Sequence, residues 1–357
     1  MKLISIVGAR PQFIKHFPVS KAINECEFIN EVLVHTGQHY DYGMSKIFFD
    51  EMGIPEPDYN LTVGSGLHGK QTAEMLTKIE EILIIEKPDW VMVYGDTNST
   101  LAGALATSKL NIPMAHIEAG LRSFNREMPE EINRVITDHI ADVLFCPTEN
   151  SIKNLAFEGV TKGVHLVGDV MFDALLYYIS ISEKYSNILK NHDLDSSEYF
   201  LVTLHRASNT DDINILQEIF SALRQLDDIK FIFPCHPRTL KIIKNNKLSL
   251  SDNIIIIEPV SYFDMLMLEK YASKILTDSG GVQKEAYLLA VPCITLRKET
   301  EWKETVKAGW NILTGANQEN IIQAVREFQP SGKRPSCFGN GEASQKIVKI
   351  LCDNMIY

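Results

Sequence analysis

Short apolar, β-branched runs alternate with longer stretches of helical period along almost the whole chain. The runs Leu3–Val7, Glu31–Thr36, Trp90–Tyr94, Met114–Ile117, Val143–Cys146 and Val164–Val167 form one set. A second set comprises Phe200–Leu204, Phe231–Pro234, Ile254–Ile257, Lys274–Leu276, Pro292–Leu296 and Asn311–Leu313. Most are apolar throughout rather than alternating, the mark of strands buried on both faces of a parallel sheet. Between them lie amphipathic stretches such as Thr72–Glu86, Ser99–Leu110, Glu130–Ile140, Asp211–Leu226 and Val282–Leu289. Strand and helix in turn predict βαβ units and a doubly wound α/β architecture.

Twelve runs are too many for one comfortable open sheet, so two Rossmann-like domains are expected. The least strand-like stretch, Val170–Glu198, is helical and polar and suits a domain connection. It sets the expected domains at residues 1–169 and 170–341. The Pro/Gly/Ser-rich stretch Pro330–Gly341 separates a last helix, Glu342–Asn354, which is expected to bring residues 342–357 back to the first domain.

Charge narrows the choice of partner. Acidic residues outnumber basic ones by 46 to 35, a net charge of −11 that disfavours nucleic acid and anionic membrane as general partners. A small anionic ligand needs only a few local cations and stays open. The six cysteines (Cys26, Cys146, Cys235, Cys293, Cys337 and Cys352) are scattered without a CxxC pair, against zinc sites and a disulfide framework. The opening Met1–Val7 is too short for a signal peptide, and no run approaches the ~18 apolar residues of a membrane span. A cytoplasmic protein is expected.

Two glycine-rich matches are declined. Gly64-Ser65-Gly66-Leu67-His68-Gly69 fits GxGxxG and, with Lys70, nearly fits a phosphate-binding loop. The preceding Pro55–Asn60 does not read as a buried strand, and Gln71 stands where a Mg²⁺-ligating hydroxyl belongs. A loop entering the next helix is the simpler reading, and a nicotinamide- or ATP-dependent enzyme is unsupported.

Ligands of open parallel sheets bind beyond the carboxyl ends of the strands. The residues just after each apolar run are therefore the first candidates for function. They include Gly8-Ala9-Arg10 with Lys15, His35 to His39, Gly95-Asp96-Thr97, Glu118-Ala119-Gly120, His205-Arg206, His236-Pro237-Arg238 and Asp278-Ser279-Gly280-Gly281. Polar groups recurring at this one end, from both halves, predict a shared interdomain cleft. Gly280 and Gly281 open a helix whose free N–H groups suit an anion, and Glu285, one turn on, suits the diol of a ribose. An ordinary Ser279 helix cap is the alternative. Arg10, Lys15 and His205 would supply positive charge. Asp96, Glu118 and one of Glu130 and Glu131 would transfer protons with His205, the other acid pairing with the helix dipole.

Together these segments resemble a known family. Gly8-Ala9-Arg10-Pro11-Gln12, Gly95-Asp96-Thr97, His116 to Arg122, Pro129 to Arg134 and Thr277 to Gly281 look like the non-hydrolysing UDP-N-acetylglucosamine 2-epimerases, in order across nearly the whole chain. The resemblance implies a GT-B fold, a UDP-sugar substrate, a homodimer, and neither a redox cofactor nor a metal. It implies elimination of UDP from UDP-GlcNAc to a bound glycal and re-addition with C2 inverted, giving UDP-ManNAc. It carries catalysis onto Asp96, Glu118, Glu130 and His205. Substrate binding falls to Arg10, Lys15, Arg134, His236, Ser279, Gly280, Gly281 and Glu285. The family's usual Thr-Glu-Arg-Pro-Glu is Thr300-Glu301-Trp302-Lys303-Glu304 here, and its His-Arg-Arg-Glu-Asn is His205-Arg206-Ala207-Ser208-Asn209. These departures resemble the branch acting on modified sugars such as UDP-2,3-diacetamido-2,3-dideoxy-glucuronate, which is the alternative substrate. A GT-B glycosyltransferase is the alternative reaction.

Overall fold

The computed structural model describes residues 1–38, 56–194, 197–246 and 248–353, so that His39 and the end of the expected last helix at Asn354 lie outside the described residues. Cα proximity separates Met1–Leu176 with Ser336–Tyr357 from Tyr177–Pro335. In sequence the changeover falls inside the helix Val170–Tyr185.

In the first unit the strands are β1 (Lys2–Val7), β2 (Asn30–His35), β3 (Tyr59–Asn60), β4 (Trp90–Tyr94), β5 (Met114–Ile117), β6 (Val143–Cys146) and β7 (Val164–Leu166). They form one sheet in the order β3-β2-β1-β4-β5-β6-β7, with every neighbouring pair parallel. The second unit holds β8 (Phe200–Thr203), β9 (Phe231–Pro234), β10 (Ile254–Ile257), β11 (Lys274–Thr277), β12 (Cys293–Thr295) and β13 (Asn311–Leu313). Its order is β10-β9-β8-β11-β12-β13, again all parallel. All twelve apolar runs are strands, and β3 is an addition at the sheet edge, too short to leave a pattern.

Both sheets are built outward from their first strand and then reverse, β1 to β4 and β8 to β11. At such a reversal the connecting loops leave in opposite directions, and the gap beyond the strand ends is where a ligand fits. Strand burial follows from the apolar runs. Ile4, Ile6, Val91 and Val93 are fully buried between the helices Asn98–Lys109 and His68–Glu86 and their own sheet. Each such side chain contributes about 1.5–3 kcal/mol by leaving water. In Asn98–Lys109 the small residues Ala102, Gly103 and Ala106 are buried, and a Cβ on Gly103 would come within 3.0 Å of Ile6 Cδ1 on the sheet.

The helix Ala343–Asp353 packs on the helix Arg10–Asn24 in the first unit. Its N-terminus is capped from a distance, because Asp173 Oδ1 accepts from Ala343 N at 3.2 Å and Oδ2 from Ser344 N at 2.7 Å. Such a carboxylate satisfies orphan N–H groups and meets the positive end of the helix. Among the described residues no helix is long and apolar enough to cross a membrane. Replacing Asp173 with Ala should lower stability by about 1 kcal/mol in urea unfolding. Hydrogen exchange should quicken in 343–353 first; unchanged protection there would mean that packing alone holds the helix.

Candidate active site

In the first unit the strand reversal is lined by charge. Lys15, on the first helix, donates from Nζ to Glu118 Oε1 at 2.5 Å, and both side chains are largely buried. Glu118 follows β5 with φ of +70°, a left-handed conformation that costs a residue with a Cβ about 1–3 kcal/mol. Gly95, after β4, has φ of +64°, and a Cβ there would lie 3.4 Å from Lys15 Nζ and 3.5 Å from Glu118 Oε1. These are ordinary contact distances, so it is the backbone shape that favours glycine.

Asp96 comes next and accepts from Arg134 Nη2 at 2.5 Å, with a quarter of its side chain exposed. Burial raises its carboxyl above the ordinary range; Arg134 and Lys15 pull it down, and Glu118 and Glu130 push it up again. Five predicted residues thus share one electrostatic environment. Arg10 opens the same first helix and is exposed.

Neighbouring groups fix these side chains. Gln12 accepts from Gly8 N and Ala9 N and donates to Tyr94 O and Thr100 Oγ1, tying the turn after β1 to the end of β4. Asn133 donates to Asp96 O at 2.9 Å. Of the two acids opening the helix Pro129–Ile140, Glu130 is exposed and Glu131 is buried. Glu131 takes Ser123 N, Ser123 Oγ, Phe124 N and Arg134 Nη1, so it is the structural member of the pair. The declined glycine-rich segment leads into the helix His68–Glu86. Gln71 there holds Gly64 O at 2.6 Å, and Asn98, beside the Asp96 turn, donates to Gln71 and bonds His68.

The second unit repeats the plan with different chemistry. Asp278, fully buried after β11, accepts from His205 N, Arg206 N and Asn209 Nδ2. Its Oδ1 lies 3.2 Å from Nδ1 of the half-exposed His205, which orients that ring. Asp278 belongs to the motif expected after this strand, and its role is to hold the 205–209 turn and the His205 ring. Ser279 is the N-cap of the helix Gly280–Leu288, accepting from Val282 N at 3.4 Å, so its capping role is real.

A Cβ on Gly280 would come within 2.1 Å of Glu301 Oε1, whereas Gly281 is exposed and open. Arg297 bonds Glu301 at 2.9 Å and Arg206 lies 3.7 Å from it, placing two cations beside the mouth of this helix. Glu285 is buried and takes a hydrogen bond from Tyr262 Oη at 3.1 Å. Trp302 is buried beneath the Lys284 ammonium, 4.3 Å from its ring centre. His236 caps the helix Pro237–Asn245, its Nδ1 accepting from Arg238 N, which leaves Nε2 as the proton-bearing nitrogen of the neutral ring. Among the described residues no three His, Cys, Asp or Glu side chains are grouped to hold a metal ion.

The model of a family described as UDP-N-acetylglucosamine 2-epimerase matches residues 21–352. The chain belongs to that family. It is 50% identical to the UDP-N-acetylglucosamine 2-epimerase of Methanocaldococcus jannaschii, over 98% of this chain and 99% of the relative. It is 47% identical to the UDP-2,3-diacetamido-2,3-dideoxy-D-glucuronate 2-epimerase of Pseudomonas aeruginosa, over 98% of this chain and 99% of that one. The crystal structure of the M. jannaschii UDP-GlcNAc 2-epimerase in complex with UDP-GlcNAc and UDP superposes with a TM-score of 0.88. It is 49% identical and covers 99% of this chain and 100% of that one. The fold of this 2-epimerase family member is accordingly GT-B-like, with one parallel α/β sheet in each unit.

Acid should loosen the loop beside the epimerase-family acids. Burial raises the Glu131 carboxyl, but the Ser123 and Phe124 N–H groups, the Ser123 hydroxyl and Arg134 outweigh it and hold it below its ordinary value. A depressed folded value means stability present above the unfolded value, about 4.3, and lost as pH falls through the folded one. The urea midpoint should therefore fall as pH drops below about 4.3, and E131Q should flatten that fall. An equally steep fall in E131Q would assign it to other carboxylates.

Proposed function

We propose that the chain is a non-hydrolysing 2-epimerase that interconverts UDP-GlcNAc and UDP-ManNAc. The carrying observation is the pair of acids held together at the first strand reversal. Each is paired with a cation, Glu118 with Lys15 and Asp96 with Arg134, and burial still raises the Asp96 carboxyl above its ordinary range. A carboxyl raised in this way, beside a second carboxylate, is suited to hold and to accept a proton. The M. jannaschii relative, named for UDP-GlcNAc, supports the substrate.

The reaction divides between the groups by their chemistry. The C1–O bond breaks with its electron pair leaving on UDP. The C2–H bond gives its pair to a C1=C2 double bond and its proton to a carboxylate among Asp96, Glu118 and Glu130. UDP then adds back while a second group protonates C2 from the opposite face, and the cycle closes with no net oxidation. Ser279, Gly280 and Gly281 would receive the diphosphate at the helix mouth, with His205 and His236 as donors to it and Glu285 meeting the ribose. Arg10, Lys15 and Arg134 would balance the anionic charge around the sugar. On the family resemblance, the working form is a cytoplasmic homodimer serving polysaccharide biosynthesis.

The 47% identical P. aeruginosa relative favours a second substrate, the UDP-diacetamido-glucuronate. Incubation in D₂O with each UDP-sugar separates the two. UDP-GlcNAc should gain deuterium at C2 and equilibrate with UDP-ManNAc, without free sugar. D96N should slow this by about 100-fold or more and leave UDP binding unchanged. Exchange confined to the diacetamido-uronate would give the second substrate, and no exchange with either would overturn the epimerase reading.

A further inference from the structure

Beneath the acids of the first unit lies a second, fully buried group of charges that takes no direct part in that reaction. His116, in β5, is inaccessible to solvent, as is the Asp138 side chain on the helix Pro129–Ile140. The His116 ring spans two acceptors, with Nε2 2.7 Å from Gly95 O and Nδ1 2.7 Å from Asp138 Oδ1. A carbonyl oxygen only accepts, so Nε2 must donate. Asp138 Oδ2 already receives Gly120 N at 3.0 Å and Arg122 Nη1 at 2.6 Å, contacts made by a carboxylate. An anionic Asp138 also only accepts, so Nδ1 must donate as well.

Charge balance points the same way. Arg122 forks onto Glu158 through Nε and Nη2, at 2.7 and 2.8 Å, while its Nη1 reaches Asp138. Arg122 divides its one positive charge between the buried Asp138 and the partly exposed Glu158, so the Asp138 carboxylate can take a second cation, which a protonated His116 supplies. The other titratable groups near it are accounted for. Cys146 on β6 is kept a neutral thiol, burial pushing it up to about 12. His139 is partly exposed and stands 3.8 Å from Glu158 at the rim. Asp96 and Glu118 adjoin the two turns that this cluster holds.

We propose that His116 is an imidazolium, held in that state by Asp138, and that it is a positioning residue for the Gly95–Asp96 turn. Its bond to Gly95 O fixes the peptide immediately before Asp96, and its charge favours the Asp96 carboxylate. Asp138 fixes Gly120 at the same time, so one side chain sets the turns that carry both Asp96 and Glu118. This role rests on the epimerase reading; the charge state does not.

Nitrogen-15 NMR of histidine-labelled protein tests it, with the His116 signals assigned by their loss in H116Q. Both ring nitrogens should carry a proton at about pH 7. A neutral ring at about pH 7 would overturn the proposal. The H116Q amide can still donate to Gly95 O but carries no charge. It should slow C2 exchange by about 10- to 100-fold with KM little changed, and move the acid limb of the rate profile to higher pH. H116Q with wild-type rate and an unmoved limb would overturn the positioning role. If wild-type protein exchanges no substrate yet shows a doubly protonated His116, the epimerase reading falls and the charge assignment is supported.

Discussion

A parallel sheet whose strand order reverses in the middle leaves one gap where neighbouring loops part, and this chain makes that gap twice. Around β1 and β4 the segments after the strands deliver Lys15 from the first helix, Asp96 and, from the adjoining β5, Glu118; around β8 and β11 they deliver His205, Asp278 and the helix opened by Gly280. The same topology yields an acid–base cluster in one unit and an anion-receiving helix in the other because the residues after the strands differ. Fold supplies the place, and the side chains at the strand ends supply the chemistry.

The groups at those ends are held against their own preferences. Glu118 adopts a left-handed backbone that its side chain disfavours, and Asp96 is kept in surroundings that oppose its charge. Lys15 and Arg134 offset part of that cost by ion pairing at 2.5 Å. Gly95 supplies the left-handed turn that leads into Asp96. Strain of this kind persists only where surrounding bonds over-determine the conformation. Gln12, Asn133 and the Asp138 cluster do so here.

Much of this was legible in the residues. Strands buried on both faces are continuous apolar runs, and all twelve could be placed. The two-residue β3 could not, having too few positions to show a period. The helix expected from Thr72 begins at His68, since the polar first turn hides the start. Single residues after strands were visible as candidates, but their partners were not. The choice between Glu130 and Glu131 rests on the loop 123–124 folding back over one of them. His116 and Asp138 sit 22 positions apart, and a buried polar pair leaves no mark in local sequence. Asp278 was quoted inside its motif, yet its hold on His205 appears only when β8 and β11 lie side by side.

The proposed epimerisation turns on breaking the bond between the sugar and UDP. UDP-GlcNAc carrying heavy oxygen in the bridge between C1 and the β-phosphorus tests it directly. During turnover the label should move from the bridge into the non-bridging β-phosphate oxygens, at a rate no slower than deuterium enters C2. Deuterium entering C2 while the label stays in the bridge would contradict it.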